Sequence, residues 1–402
     1  MKNFIRKADI VLSLLCVVVF TFITIGFYNQ PEQVIFYENN NHIKYINIYS
    51  AKKSDDLIQT ASASSSGECR ADISFLGIFP VTQTQAVVRD RKYVCVGGDL
   101  IGIKIFTDGL LVVGTDDVMS SDGNVSPAKD CGIRVGDIIT HVNDEIITSV
   151  NAFSEIVSLN DGENIGLTVK RKNDILYYSL KPVFCESENK YRCGLWLKDS
   201  TAGIGTMTFS DPETGMFASL GHAICDSETK SVLTVSDGDI YSAMVNGCDM
   251  GQKGNTGQIK GSFLSSDIGD IIDNNEFGLY GTYSFVSADE DTVYPLASAG
   301  EVKTGPAKII STVSDKGKQI YDIEIEKISY SSSPQSRSLV IKITDPELIA
   351  TTGGIIQGMS GSPIIQDGKL VGAVTHVFLN DPTKGYGIFA ETMLNTMNSM
   401  DK

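Results

Sequence analysis

Gln357-Gly358-Met359-Ser360-Gly361-Ser362-Pro363-Ile364-Ile365 is the stretch on which the reading of this chain turns. Two glycines bracket Met359-Ser360, and a proline leads into an apolar pair. Glycine permits backbone conformations that a side chain would obstruct, and proline fixes φ just ahead of a strand. Taken alone, the run is a glycine-rich hairpin turn. Outward from it lie short apolar runs broken by Gly, Asp and Asn: Val371-Gly372-Ala373-Val374 after it, Leu339-Val340-Ile341-Lys342-Ile343 and Ile323-Glu324-Ile325-Glu326 before it, and Ile165-Gly166-Leu167-Thr168-Val169 and Leu110-Leu111-Val112-Val113 further upstream. Turn signals at that spacing predict a mainly β protein of barrels or sandwiches. Helical periodicity is confined to 126–131, 150–159 and 392–400.

The chain has 402 residues, enough for two or three domains. Hydrophobic residues are 42% and charged residues 20%, which excludes a wholly disordered protein. The net charge of −16 excludes a nucleic-acid partner, because phosphate recognition needs a positive footprint. Residues 10–27 carry no charge and follow Lys2, Arg6 and Lys7. This predicts a membrane anchor over 1–28, with the N-terminus in the cytoplasm and the rest exported. A cleavable signal peptide is the rival reading, although Asn29-Gln30-Pro31-Glu32 lacks its small-residue pattern. Residues 29–95 read as an extracytoplasmic tether and lead-in, and the Ala61-Ser62-Ala63-Ser64-Ser65-Ser66 run as a spacer or a protease-accessible release site. Eight cysteines show no zinc spacing, so neither a metal nor a cofactor is expected.

Between 96 and 182 the sequence looks like a PDZ module. Gly97-Gly98-Asp99-Leu100-Ile101-Gly102-Ile103 is a glycine turn running into a strand. Ser126-Pro127-Ala128-Lys129-Asp130-Cys131-Gly132-Ile133-Arg134-Val135-Gly136-Asp137-Ile138-Ile139 matches the helix, tight turn and strand of such domains. In PDZ modules a peptide adds as an extra strand. Gly98, Gly102 and Ile103 are therefore the expected peptide-binding residues.

Residues 183–402 carry the candidate chemistry. The Gly-x-Ser-Gly-x-Pro run resembles the nucleophile loop of chymotrypsin-like serine proteases. On that resemblance Ser360 is the nucleophile, the N–H groups of Gly358 and Ser360 form the oxyanion hole, and Gly361 leaves room for substrate. Serine needs a base. Of four histidines, His42 lies near the anchor and His141 in the PDZ-like segment, which leaves His222 and His376. His222 precedes the serine, as the base does in that fold, and His376 reads as a cleft wall. Asp345 is the expected orienting acid, with Asp226, Asp249, Asp267 and Asp270 as rivals. A strand-end Asp before proline is equally a helix cap.

Two longer stretches resemble a narrower family. Gly203-Ile204-Gly205-Thr206-Met207-Thr208-Phe209-Ser210-Asp211-Pro212 with Leu220-Gly221-His222, and the whole run from Thr352 to Gly387, look like the stage IV sporulation protein B peptidases of spore-forming Firmicutes. The order of anchor, PDZ module and peptidase matches as well. The resemblance implies a chymotrypsin-like double β-barrel with His222, Asp345 and Ser360 as catalytic residues. It implies an exported endopeptidase in the space between the two forespore membranes. Its partner would be a membrane-held regulator of an intramembrane metalloprotease, cut in its extracytoplasmic part to release activation of a late mother-cell sigma factor. Cleavage of its own tether is a further expectation. The competing class is a non-catalytic, membrane-tethered PDZ adaptor on a protease fold.

Overall fold

The computed structural model describes residues 68–75, 79–121, 123–172, 174–284, 292–330 and 333–400, together with 33–37, 42–45, 49–53 and Val17. The predicted anchor, apart from Val17, and the 61–66 run lie outside these residues. No helix among the described residues is long and apolar enough to cross a membrane.

The lead-in to residue 95 is not only a tether. It contains a five-stranded sheet of Gln33–Tyr37, His42–Tyr45, Tyr49–Lys53, Glu68–Phe75 and Phe79–Arg89. Ala71, Ile73 and Ala86 are buried there.

Strand Leu100–Thr115 organises the remainder of the chain. It pairs along nearly its whole length with Leu195–Ser210, from Leu100 opposite Thr206 to Thr115 opposite Leu195. Its two halves belong to different cores. Ile101, Ile103 and Ile105 pack with Phe217, Leu220 and Ile240, whereas Leu110 and Val112 pack with Ile139, Phe153, Val157 and Val169. Gly109 marks the change, with φ +114°, and a Cβ there would come within 2.4 Å of the Ile139 carbonyl oxygen.

The second half leads into the PDZ-like module. Helix Pro127–Cys131 stops at Gly132, strand Ile138–Val142 follows the tight turn, helix Val150–Leu159 is capped by Ser149, and strand Ile165–Arg171 closes the order expected from sequence. Asp137 in that turn is fully buried and takes two 2.7 Å bonds from Arg171. The expected boundary at 96 is corrected. The module begins inside the Leu100–Thr115 strand and takes in Leu195 and Leu197 from beyond 182.

Two hydrogen-bonded rings make the rest. In the first, the early half of Leu100–Thr115 pairs with Asp237–Asp249, which pairs with Gln258–Asn275, then Gly278–Tyr283, Met216–Ser219 and Leu195–Ser210, which returns to Leu100–Thr115. The second is a closed barrel of Gly305–Ser311, Gln319–Ile328, Leu339–Ile343, Asp381–Phe389, Lys369–Phe378 and Pro363–Gln366. Its strands alternate as half-buried strands should. Tyr321, Ile323 and Ile325 face inward between exposed Asp322, Glu324 and Glu326. The C-terminal helix Ala390–Met400 packs Met393 and Met397 against it.

Candidate active site

The loop that carries Ser360 crosses from helix Pro346–Thr352 to strand Pro363–Gln366 and is gripped by the first ring. Thr206 N–H donates to the Ser360 carbonyl at 3.0 Å, Thr206 Oγ1 donates to the Gly358 carbonyl at 2.7 Å, and Thr208 Oγ1 donates to the Gly361 carbonyl at 2.7 Å. Gly361 has φ +94°, and a Cβ would lie 2.0 Å from the Thr206 carbonyl oxygen. Its role is corrected accordingly: it admits the neighbouring strand, not substrate. Gly358 also has a positive φ, +100°, and packs against Ile259.

The loop's two serines have opposite fates. Ser362 is 0% exposed and hydrogen-bonds Ser311 Oγ at 2.9 Å inside the barrel. Ser360 is half-buried and lines a cleft of about 440 Å³ shared with His222 and His376. Its Oγ donates to the Thr375 carbonyl at 2.8 Å. The N–H groups of Gly358 and Ser360 have no acceptor among the described residues, while the Met359 N–H is tied to Ile356. Two free, nearby donors at a nucleophile are what a developing oxyanion requires.

His222 follows a strained corner. Leu220 and Gly221 both have left-handed backbone, φ +66° and +70°, and a Cβ at Gly221 would meet Thr375 and Ile388 at 2.8 Å. His222 Nδ1 is 2.8 Å from the Ala223 carbonyl. A carbonyl only accepts, so Nδ1 carries the proton and Nε2 keeps its lone pair. Burial holds the His222 pKa below its ordinary value. The His376 ring stands 4.7 Å from it, centroid to centroid, and its own Nδ1 is buried without a hydrogen-bond partner. Burial, then the neighbouring His222 and Arg337, push His376 down to about 4.

The structure does not bring Asp345 to this pair. Its carboxylate caps helix Pro346–Thr352, accepting from the N–H groups of Glu347 and Leu348 at 2.9 and 3.0 Å, and it also takes the Asp322 N–H. A carboxylate holding a helix N-terminus is already satisfied. Asp226 folds its own turn through the Glu228 and Thr229 N–H groups, and Asp249 pairs with Lys260. No carboxylate among the described residues hydrogen-bonds either imidazole.

Sequence reasoning missed Asn274. Its buried amide accepts from the Ile224 N–H at 2.8 Å and donates to the carbonyls of Ile224 and Leu233 at 2.9 and 2.8 Å, which fixes the segment after His222. It lies 52 residues beyond His222, and no local pattern marks it.

The expected peptide-binding residues also move. The Gly98 N–H is used by the Met207 carbonyl and its carbonyl by Thr312 Oγ1, Gly102 lies under the Phe263 ring, and Ile103 lines the catalytic cleft. Gly102 and Ile103 belong to the first ring, because their half of the strand turns away from the PDZ core at Gly109, and Gly98 lies just ahead of that strand. The groove of the PDZ-like module, about 510 Å³, lies instead between Val150, Phe153 and Val157 of its second helix and Leu195, Trp196 and Leu197 of the returning strand. Trp196 is 61% exposed at its rim.

The profile of the SpoIVB peptidase S55 family matches residues 189–394, half of the chain. The chain belongs to this family. It is an S55 serine peptidase, and a PDZ domain profile matches residues 124–171, between two strands of the first ring. The Rv3671c protease of M. tuberculosis in its active form aligns with 50% of the S55 chain and 74% of its own, at 11% identity and a TM-score of 0.30. Its inactive form aligns with 48% and 84%, at 12% identity and a TM-score of 0.28. No curated protein matches the S55 chain.

Proposed function

We propose that Ser360 is the nucleophile and His222 the general base of a chymotrypsin-like double β-barrel endopeptidase, with the Gly358 and Ser360 N–H groups as its oxyanion hole. The observation that carries this reading is the split between the loop's serines. Ser360 opens on the cleft that holds His222, while Ser362 is sealed against Ser311. Acylation then requires Ser360 Oγ to leave the Thr375 carbonyl, give its proton to His222 Nε2 and attack the scissile carbonyl. The imidazolium returns that proton to the departing amine, and water repeats the sequence to release the acyl group. The Ala223 carbonyl fixes the tautomer, the task a carboxylate performs in the triad.

Family membership supports the wider reading. The chain is a sporulation peptidase held by residues 1–28 and working in the space between the forespore membranes. It cuts the extracytoplasmic part of a membrane-held regulator of an intramembrane metalloprotease, and it shortens its own tether between residues 28 and 69. The PDZ domain, with its groove between Val150–Leu159 and Leu195–Leu197, holds an extended peptide of that partner. Fluorophosphonate labelling tests the chemistry: labelling is stoichiometric, lost in Ser360→Ala and kept in Ser362→Ala. Accumulation of full-length, membrane-bound Ser360→Ala protein tests self-cleavage, and normal shortening of that variant refutes it.

A further inference from the structure

The walls of the catalytic cleft are apolar. Ile103, Ile204, Leu220, Ile224, Ile356 and Val377 surround the space beside Ser360 and His222. No Asp, Glu, Lys or Arg is among the described residues that line it. The polar groups there are the hydroxyls of Thr256 and Ser360, the Gln357 amide, the Cys225 thiol and the two imidazoles. Burial disfavours the protonated form of both imidazoles. Arg337 adds a smaller lowering to the pKa of His376. It sits over the Tyr386 ring at 5.2 Å and does not line the cleft.

We infer that the cleft selects substrates with an uncharged aliphatic residue on the acyl side of the scissile bond, and that Ile204 is a specificity-determining residue. This rests on the reading of Ser360 and His222 given above. A volume of about 440 Å³ accommodates an extended segment with one side chain turned inward. An aliphatic side chain loses water on both surfaces as it enters. A lysine, arginine or glutamate brings a charge for which the walls hold no partner, and an unpaired charge is costly to bury. Ile204 is suited to the discriminating role by its position. It is half-buried on strand Leu195–Ser210, packs on the core of the second barrel, and stands two residues before Thr206, which grips the nucleophile loop.

The test is the rate at which peptidyl diphenyl phosphonates modify Ser360, followed by intact mass. Serine Oγ attacks phosphorus, phenoxide leaves, and the hydroxyl proton passes to the imidazole, so the rate reports side-chain selection without needing turnover. The probes are identical except for Leu, Val, Lys or Glu next to phosphorus. The expected result is modification by the Leu and Val probes on the order of 100-fold faster than by the Lys and Glu probes. Ile204→Asp narrows the gap between Leu and Lys at least tenfold, and Ile204→Ala keeps the order of preference and checks the fold. If the Lys or Glu probe reacts as fast as Leu, or no peptidyl probe reacts while a small fluorophosphonate still labels Ser360, the selectivity is refuted and the peptidase reading stands. If folded protein takes up neither probe type at Ser360, the reading of the site itself falls.

Discussion

The serine and the histidine reach the cleft by different means. The Ser360 loop is shaped by its own glycines and proline and gripped by two threonines of a neighbouring strand. Gly358 and Gly361 supply the backbone angles, Pro363 starts the strand, and Thr206 and Thr208 take up the exposed carbonyls. The histidine segment has little local support. Leu220 is held in a left-handed conformation that a bulky residue seldom adopts, and the chain after His222 is fixed by the side chain of Asn274 from another strand. One half of the centre is a motif and the other is a product of tertiary packing.

Substitutions separate the two regimes. The largest loss is expected from Ser360→Ala, on the order of 10⁶-fold in kcat with unchanged thermal stability. A dead Ser362→Ala beside an active Ser360→Ala in a peptide assay would reverse the loop's register. Gly361→Ala is expected to act through the fold, because its Cβ would sit 2.0 Å from the Thr206 carbonyl oxygen. Left-handed strain and overpacking together cost about 3 kcal/mol, read as a lower denaturation midpoint. Asn274→Ala strands backbone groups of Ile224 and Leu233 and is expected to lower kcat on the order of 100-fold while KM changes little. Equal activity in that variant would mean that the histidine segment supports itself.

Much of this was legible in sequence where periodicity or glycine decides. The alternation in Gln319–Ile328, the PDZ-like helices and turn, and the loop around Ser360 all follow from residues a few positions apart. Two expectations failed because tertiary packing, not local sequence, decides them. Gly98, Gly102 and Ile103 read as part of the PDZ-like module because their strand runs into it, but the core changes owner at Gly109 within that same strand. Asp345 stands in a register that suits either a triad acid or a helix cap, and only the hydrogen bonds to Glu347 and Leu348 distinguish them. The stacking of His376 on His222 joins residues 154 positions apart.

Two smaller effects sharpen the comparison. Asparagine caps a helix as well as aspartate does. Asp345→Asn is therefore expected to keep full activity, and Asp345→Ala to lose about 1 kcal/mol of stability in denaturant unfolding. A loss of several thousand-fold in Asp345→Asn would mark an orienting carboxylate instead. The pH profile gives the smallest signal. On the proposed reading His222 works as a neutral imidazole, so activity falls as pH drops through its pKa. Burial lowers that pKa, so the half-point of kcat/KM is expected below about 6.5. A half-point above 6.5 would show that a carboxylate stabilises the imidazolium.

Leu100–Thr115 and Leu195–Ser210 are staves of the first ring as well as edges of the PDZ-like module. The module is thus an insertion between two neighbouring staves, not a bead ahead of the peptidase. A fragment that starts after residue 182 keeps Ser360, His222 and His376 and still lacks a stave. During synthesis the ring cannot close until the Gly278–Tyr283 strand has emerged, some 180 residues after its first stave. Ser360, later still in the chain, follows the strand that grips its loop. Every strand of the ring that holds His222 therefore precedes the Ser360 loop in order of synthesis.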